Sequence, residues 1–466
     1  MKNIALIASL AASAAMQAAV VDQVIVRQQW PWSTNVKIEY KLSGVTSPVD
    51  LSVAAYDGST ELDSAAVAAS ITGDRFGIRK SGVGYLILDP IKLFGTSQIS
   101  IADFKVSLEV VDSAANIDEV LYKIFDLTNN CACTDVRRVD LLNGKYGAVE
   151  TDFGKIGEGF NTSLDDVIIW TGVTNDVAYK TTHLVMRKIP AKGKSFTMGL
   201  SDKMYYKDKS PETQIAHNVS FTNDYYAGVF ELTYGQATNL VHMGSAVTSI
   251  NMWFTNKTDN ALRPLNSQIL ALRSQNDIKK WPNNGRTETD NARFIKKLRD
   301  ATGLMFDLPT EAIWEYACRA GTDTDYNCGV QINNKNSTQI QELVSRCTSN
   351  SSMTYQNVNA GVDKNLLSDV ATAIVGSYAP NAWGLYDMHG NLNEACLDIY
   401  TADISSYTGD DPWGYNPGVD STADRVARGG SFQFGGQYTT STCRSSRPLA
   451  NNSCYVGSRL FIVIYD

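Results

Sequence analysis

From Val20 to about Leu127 apolar side chains recur at every second position, and this alternation limits what the chain can fold into more than any other feature. Val36, Ile38, Tyr40 and Leu42 alternate with Lys37, Glu39 and Lys41, and Phe104, Val106, Leu108 and Val110 do so with Lys105, Ser107 and Glu109. A period of two sets one face of each strand on a core and the other in water. Short strands broken by turn segments such as Asp57-Gly58 and Ser81-Gly82 imply an immunoglobulin-like β-sandwich over residues 20–127. No cluster of reactive side chains lies in it, so its expected role is a spacer, stabiliser or contact surface.

Past residue 127 the alternation ends. Residues 128–165 are rich in Asn, Asp, Gly and Lys and read as a linker. Within it Cys131-Ala132-Cys133 has the form of a soft-metal pair, yet no other Cys or His lies nearby, which favours a local bridge or separate bridges to distant partners. Residues 166–466 mix short strands, helices and irregular stretches, an α+β pattern. Ala292, Ile295 and Leu298 make an apolar stripe, Lys296, Lys297 and Arg299 lie off it, and Gly303 stops that helix. A second helix starts with Thr310 as N-cap and Glu311 near its positive end. A chain of 466 residues is expected to divide in this way, because one core does not cover that length.

Two further features bear on where the protein works. Met1-Lys2 precedes an apolar stretch from Ile4 to Ala15 and small residues up to Ala18 and Ala19, the pattern of a secretory signal peptide over residues 1–19. No later stretch reaches the ~20 apolar residues of a membrane helix, so a secreted, periplasmic or cell-surface protein without a membrane span is expected. Its eight cysteines would then meet oxidising conditions, in which an even count favours disulfides. With 49 acidic against 41 basic side chains the net charge is −8, and no basic run offers a footprint for nucleic acid or anionic lipid.

The block Leu308-Pro309-Thr310-Glu311-Ala312-Ile313-Trp314-Glu315-Tyr316-Ala317-Cys318-Arg319-Ala320-Gly321 does not stand alone. Before it come Ile189-Pro190, Phe196-Thr197-Met198-Gly199, Pro211-Glu212-Thr213 with His217 and Val219, and Glu231-Leu232-Thr233-Tyr234-Gly235-Gln236. After it come Asn381-Ala382-Trp383-Gly384-Leu385-Tyr386-Asp387-Met388-His389-Gly390-Asn391 and Arg425-Val426-Ala427-Arg428-Gly429-Gly430-Ser431-Phe432. In content and order these blocks resemble the formylglycine-generating (sulfatase-modifying factor) enzyme family. The resemblance implies a loop-rich variant of the C-type lectin fold for the C-terminal part; the N-terminal part resembles no family we recognise.

Departures from the family pattern bear directly on function. Active members oxidise a substrate cysteine with copper(I) held by two thiolates, three and eight residues after the serine of Gly-Gly-Ser-Phe; here those positions are Phe434 and Thr439, which offer no soft sulfur. Arg447 arrives sixteen residues after Ser431, as in the family, so the count holds without a gap. Where the family has Gly-Asn-x-Trp-Glu-Trp, this chain has Gly390-Asn391-Leu392-Asn393-Glu394-Ala395, implying a wider and more polar groove. Related sulfoxide synthases use three histidines for iron, but this chain has only His183, His217, His242 and His389, and His217 and His389 fall at structural motif positions. Neither copper nor iron is expected.

Calcium is the cofactor the resemblance implies. Its family ligands align with the side chains of Asp387 and Glu394 and the carbonyls of Gly390 and Leu392, an oxygen set suited to a hard cation. A second calcium loop falls near residues 357–369, without assignable ligands. The resemblance also implies a Cys396–Cys443 disulfide, since chains with one of these cysteines tend to have the other. Cys328 and Cys347 would close the insertion between blocks, a loop worth about 3 kcal/mol by closure entropy, and Cys318 would reach Cys454. The reading that follows is a calcium-stabilised recognition module whose former catalytic groove, lined by Asn393, Ser431, Phe432, Phe434, Gln437, Tyr438 and Arg447, binds an extracytoplasmic peptide or glycan. The alternative is a divergent formylglycine-type oxidase, or another metal-dependent oxidoreductase, acting on extracytoplasmic proteins such as sulfatases; no constellation of His, Cys or carboxylate at the groove supports it.

Overall fold

The computed structural model describes residues 18–464 except 30–31, 97–100, 102, 157–159, 161–166, 201–203, 205–214, 243–258, 267–293, 334–336, 352–371, 403, 405–406, 415–422 and 448–454. Residues 1–17 of the expected signal peptide, Pro211–Thr213, the expected second calcium loop and Cys454 lie outside the described residues. The chain divides into two compact units, residues 1–119 with 137–145, and residues 120–136 with 146–466.

In the first unit the alternation has the consequence expected of it. A four-stranded antiparallel sheet runs Val20–Gln28, Val36–Ser43, Gly82–Leu88, Ile71–Gly73, and a three-stranded one runs Thr60–Glu61, Val49–Asp57, Phe104–Asp112. Ile38, Tyr40 and Leu42 all point inward and share one hydrophobic cluster with Leu51, Ala55, Leu86, Leu88 and Leu108. A helix at Ser64–Ser70, capped by the Asp63 carboxylate on the Ala66 N–H, was not signalled by the period-two pattern.

The expected boundaries at 127 and 165 need correction. Val120–Asp126 is a strand of the second unit, paired antiparallel with His183–Ile189. Its sequence differs in kind from the alternating strands: Leu121, Tyr122, Ile124 and Phe125 are all buried, as in a strand covered on both faces. The supposed linker contains the strand Ala132–Arg137, reached through a tight turn in which Asn130 and Cys131 both take positive φ, and a helix at Arg138–Leu142 that returns to the first unit. No bridge joins Cys131 and Cys133, which differ in environment: Cys131 is buried and Cys133 exposed.

The second unit is α+β. Its six-stranded sheet runs Met305–Asp307, Phe461–Ile464, Asp224–Gly228, His183–Ile189, Val120–Asp126, Ala132–Arg137. A four-stranded sheet runs Arg444–Arg447, Arg425–Arg428, Asn393–Ile399, Val456–Gly457 and positions the candidate site. Both expected helices are present. Phe294–Thr302 buries Ile295 and Leu298 and is followed by Gly303 at positive φ, although Ala292 lies outside the described residues. Glu311–Arg319 is capped by the Thr310 hydroxyl, which accepts from the Ile313 N–H at 3.3 Å.

Candidate functional site

Side chains of the four-stranded sheet alternate between two environments. On the side toward the Glu311–Arg319 helix lies a layer of buried charge. Arg428 donates to the Glu315 carboxylate, Arg319 meets the same carboxylate at 2.8 Å, and Arg444 grips Glu311 with Nε at 2.7 Å and Nη2 at 2.8 Å. Burial opposes the charge on Glu315, but Arg319 and Arg428 outweigh it and hold the carboxyl below its usual range. Asp398 has no such partner; burial and then the Glu311 carboxylate push its pKa up to about 7.

The opposite face and the loop after Gly429-Gly430 carry the residues expected to line a groove. Both glycines have positive φ, and a Cβ on Gly430 would lie 2.1 Å from the Tyr438 carbonyl oxygen, so only glycine lets the loop fold back this closely. The loop brings Phe434 against Tyr438, ring centroids 5.7 Å apart, and against Tyr455 at 6.2 Å. The Arg447 guanidinium stands 5.0 Å from the Tyr455 ring centroid and 6.0 Å from that of Phe434. Asn393 joins the cluster, donating to the Tyr455 carbonyl at 3.2 Å and accepting from the Ser445 hydroxyl at 3.4 Å.

Of the expected groove residues, Phe434, Tyr438, Arg447 and Asn393 therefore come together. Ser431 and Phe432 do not line the groove: both are fully buried, and the Ser431 hydroxyl has no hydrogen-bond partner. Gln437 turns back over Gly435 of its own loop. Nor is the groove opened at the two absent tryptophans, since Asn393 and Ala395 are each 2% exposed. Tyr455 was missed because it belongs to no motif block.

The two positions aligned with copper ligands do not fit that ion. Phe434 supplies a ring, and Thr439 a fully buried hydroxyl that donates to the Gly436 carbonyl at 3.2 Å. The Thr439 carbonyl accepts from Nδ1 of His389 at 2.7 Å, while Nε2 accepts from the Asn327 N–H at 3.1 Å. Both ring nitrogens serve packing, and burial lowers the His389 pKa to about 4.

The calcium positions fit in part. Asp387 is buried, its Oδ2 accepts from the Gly376 N–H at 2.6 Å, and its Oδ1 has no partner, as a cation ligand would require. Glu394, by contrast, is committed: Arg459 donates to both of its oxygens, with Nη2 at 2.6 Å from Oε1, and Trp314 Nε1 donates to Oε2 at 2.7 Å. A third acid, Glu231, was not anticipated; it accepts from the Asn391 amide at 2.6 Å and the Leu392 N–H at 3.0 Å. Burial, then Asp387 and Glu394, raise its pKa, and burial takes Asp387 up to about 6. Among the described residues no cluster of three or more His, Cys, Asp or Glu is arranged as a metal cage.

None of the expected disulfides is formed among the described cysteines. The Arg425–Arg428 strand runs between the strand holding Cys396 and the one that Cys443 enters. Two strand spacings of ~4.8 Å exceed the ~7 Å Cα separation a bridge can span. The Cys347 thiol faces the Ser349 hydroxyl at 3.1 Å, while Cys328 is packed in a cluster with Phe153, Tyr326 and Ile332. Cys318 points at the Met388 carbonyl and His389, and burial raises its pKa to about 12.

Residues 175–462 match the family described as the sulfatase-modifying factor enzyme 1-like domain. The chain is 37% identical over 130 residues to a formylglycine-generating enzyme of Thermomonospora curvata, covering 27% of this chain and 38% of that enzyme. It is 32% identical over 147 residues to the one of Streptomyces coelicolor, covering 31% of this chain and 41% of that enzyme. The matched stretch thus spans about two fifths of these relatives. A solved structure of PvdO from Pseudomonas aeruginosa overlaps 60% of this chain and 94% of its own, with a TM-score of 0.42 and 20% identity. Because the family match runs through most of the chain and contains the Phe434, Tyr438 and Tyr455 cluster, the Gly429-Gly430 turn and the Glu311–Arg319 helix, the protein belongs to the sulfatase-modifying factor (formylglycine-generating enzyme) family.

Proposed function

We propose that this protein is a recognition member of its family, in which the oxidase centre has become a binding groove for a peptide or glycan outside the cytoplasm. The observation that carries the reading is the pair Phe434 and Thr439: a ring packed on Tyr438 and Tyr455, and a buried hydroxyl bonded to the Gly436 carbonyl, stand where copper(I) needs two thiolates. Calcium enters the same reading as a stabiliser near Asp387, supported by its unpartnered Oδ1, with the carbonyls of Gly390 and Leu392 as further oxygens. The charged and apolar segments of residues 1–19 support export. A lectin-like fold for the second unit and a sandwich for the first belong to this proposal as its finer architecture. The test is to incubate the protein with a Cys-x-Pro-x-Arg peptide, copper and reductant in air. No change in peptide mass is expected; the mass loss of a thiol carbon becoming an aldehyde would overturn the reading in favour of an oxidase.

A further inference from the structure

The Arg425–Arg428 and Arg444–Arg447 strands pair so that arginine meets arginine at both ends of the ladder, Arg428 with Arg444 and Arg425 with Arg447. At the first end the charges are answered, by Glu315 and Glu311. The second pair projects from the other face, because the two ends of each strand are offset by three residues and side chains alternate with a period of two. There Arg447 has no carboxylate within ion-pair distance among the described residues. Its Nη1 donates to the Ser446 carbonyl at 2.9 Å, and its buried Nε has no hydrogen-bond partner. Asp424, the residue before Arg425, instead accepts from Ser446, a residue of the opposite face.

Like charges directly opposite on a ladder destabilise it, and a buried donor without an acceptor does the same. Here the guanidinium is also held in place, lying near the rings of Tyr455 and Phe434, with Ser445 and Asn393 beside it as neutral hydrogen-bonding groups. A fixed planar fork with one unanswered charge matches a planar monoanion better than a dianion. We propose that the groove takes its ligand through a carboxylate docked on Arg447, with Phe434 and Tyr455 against the ligand's apolar or ring face. This deepens the recognition reading above and rests on it.

The full chain would be titrated by calorimetry with N-acetylphenylalanine and its amide, and with glucuronate and glucose. At least one acid is expected to bind tenfold or more tightly than its neutral counterpart, and which acid does so separates a peptide terminus from an acidic sugar. Arg447→Gln should remove that difference, and Arg447→Lys, which keeps the charge without the fork, should retain only part of it. Circular dichroism checks that each variant is folded. If neither acid binds, if acid and neutral forms bind alike, or if folded Arg447→Gln keeps its affinity for the acid, the carboxylate anchor is wrong. Equal binding of acid and amide would remove the anchor and leave the recognition reading in place, whereas conversion of the sulfatase-type peptide would remove that reading and leave the anchor.

Discussion

Replacing Asp398 by Asn should reverse the order of stability between wild type and variant as pH rises. The Asp398 carboxylate is buried; Oδ2 accepts from the Glu311 N–H and Oδ1 from the Gly414 N–H, each at 2.7 Å. Burial and the Glu311 carboxylate place its pKa at about 7, against the pull of those two bonds and of Arg444. Between the unfolded carboxyl's range near 4 and pH 7, the folded protein keeps a proton that the unfolded chain has released. The contribution of this group is therefore complete below about pH 4 and is lost as pH climbs toward 7. At about 1.4 kcal/mol per pH unit, the loss is about 4 kcal/mol. Asn carries no charge to desolvate but can accept only one of the two N–H groups, so it forfeits a hydrogen bond worth about 1 kcal/mol at every pH. Urea unfolding at pH 4.5, 6.0 and 7.5 should show wild type more stable at the lowest pH and Asp398→Asn more stable at the highest. Other buried groups, Asp387 and His389 among them, titrate in both proteins, so the informative quantity is the difference between the two. A difference constant across that range would refute the argument.

Two further outcomes follow from the same buried layer and from the proposed cation. Arg428→Met should destabilise the second unit by about 3 kcal/mol, because it takes one of the two arginines from the buried Glu315 carboxylate, and adding Glu315→Met should not restore the loss, because it leaves the buried Arg319 without its carboxylate; urea midpoints of the two variants decide this. Calcium should raise the melting temperature, by the equivalent of ~2.7 kcal/mol at a hundredfold excess over Kd, and Asp387→Ala should abolish the rise. A wild-type melting curve unmoved by chelator would end the calcium proposal.

What could be read from the sequence was whatever depends on near neighbours. Ile38, Tyr40 and Leu42 are buried because a strand has period two, and Thr310 caps its helix because its hydroxyl meets an N–H three residues on. The Gly-Gly-Ser-Phe block located the groove loop. What escaped depends on partners far along the chain. Glu394 reads as a calcium ligand until Arg459, 65 residues later, is seen holding both of its oxygens. Cys396 and Cys443 read as a pair until a strand is found to run between them. Tyr455 carries no local signal at all. The misplaced boundary is a different case, because the adjacent apolar pairs Leu121-Tyr122 and Ile124-Phe125, on either side of Lys123, already depart from alternation, and a strand covered on both faces was there to be recognised.

The interleaving of the two units bears on how the protein can be made and cut. The family match begins at residue 175, yet the outer two strands of the six-stranded sheet, Val120–Asp126 and Ala132–Arg137, come from before it. A fragment trimmed to the matched stretch would bare the flank of His183–Ile189, an unpaired ladder with buried Leu184, Val185 and Met186, which invites association with other chains. The first unit is likewise not complete at residue 119, since its last piece, residues 137–145, reaches the ribosome exit only after those two strands have been made. During synthesis the earlier unit therefore gains its last piece only after a stretch of chain that belongs to the later one.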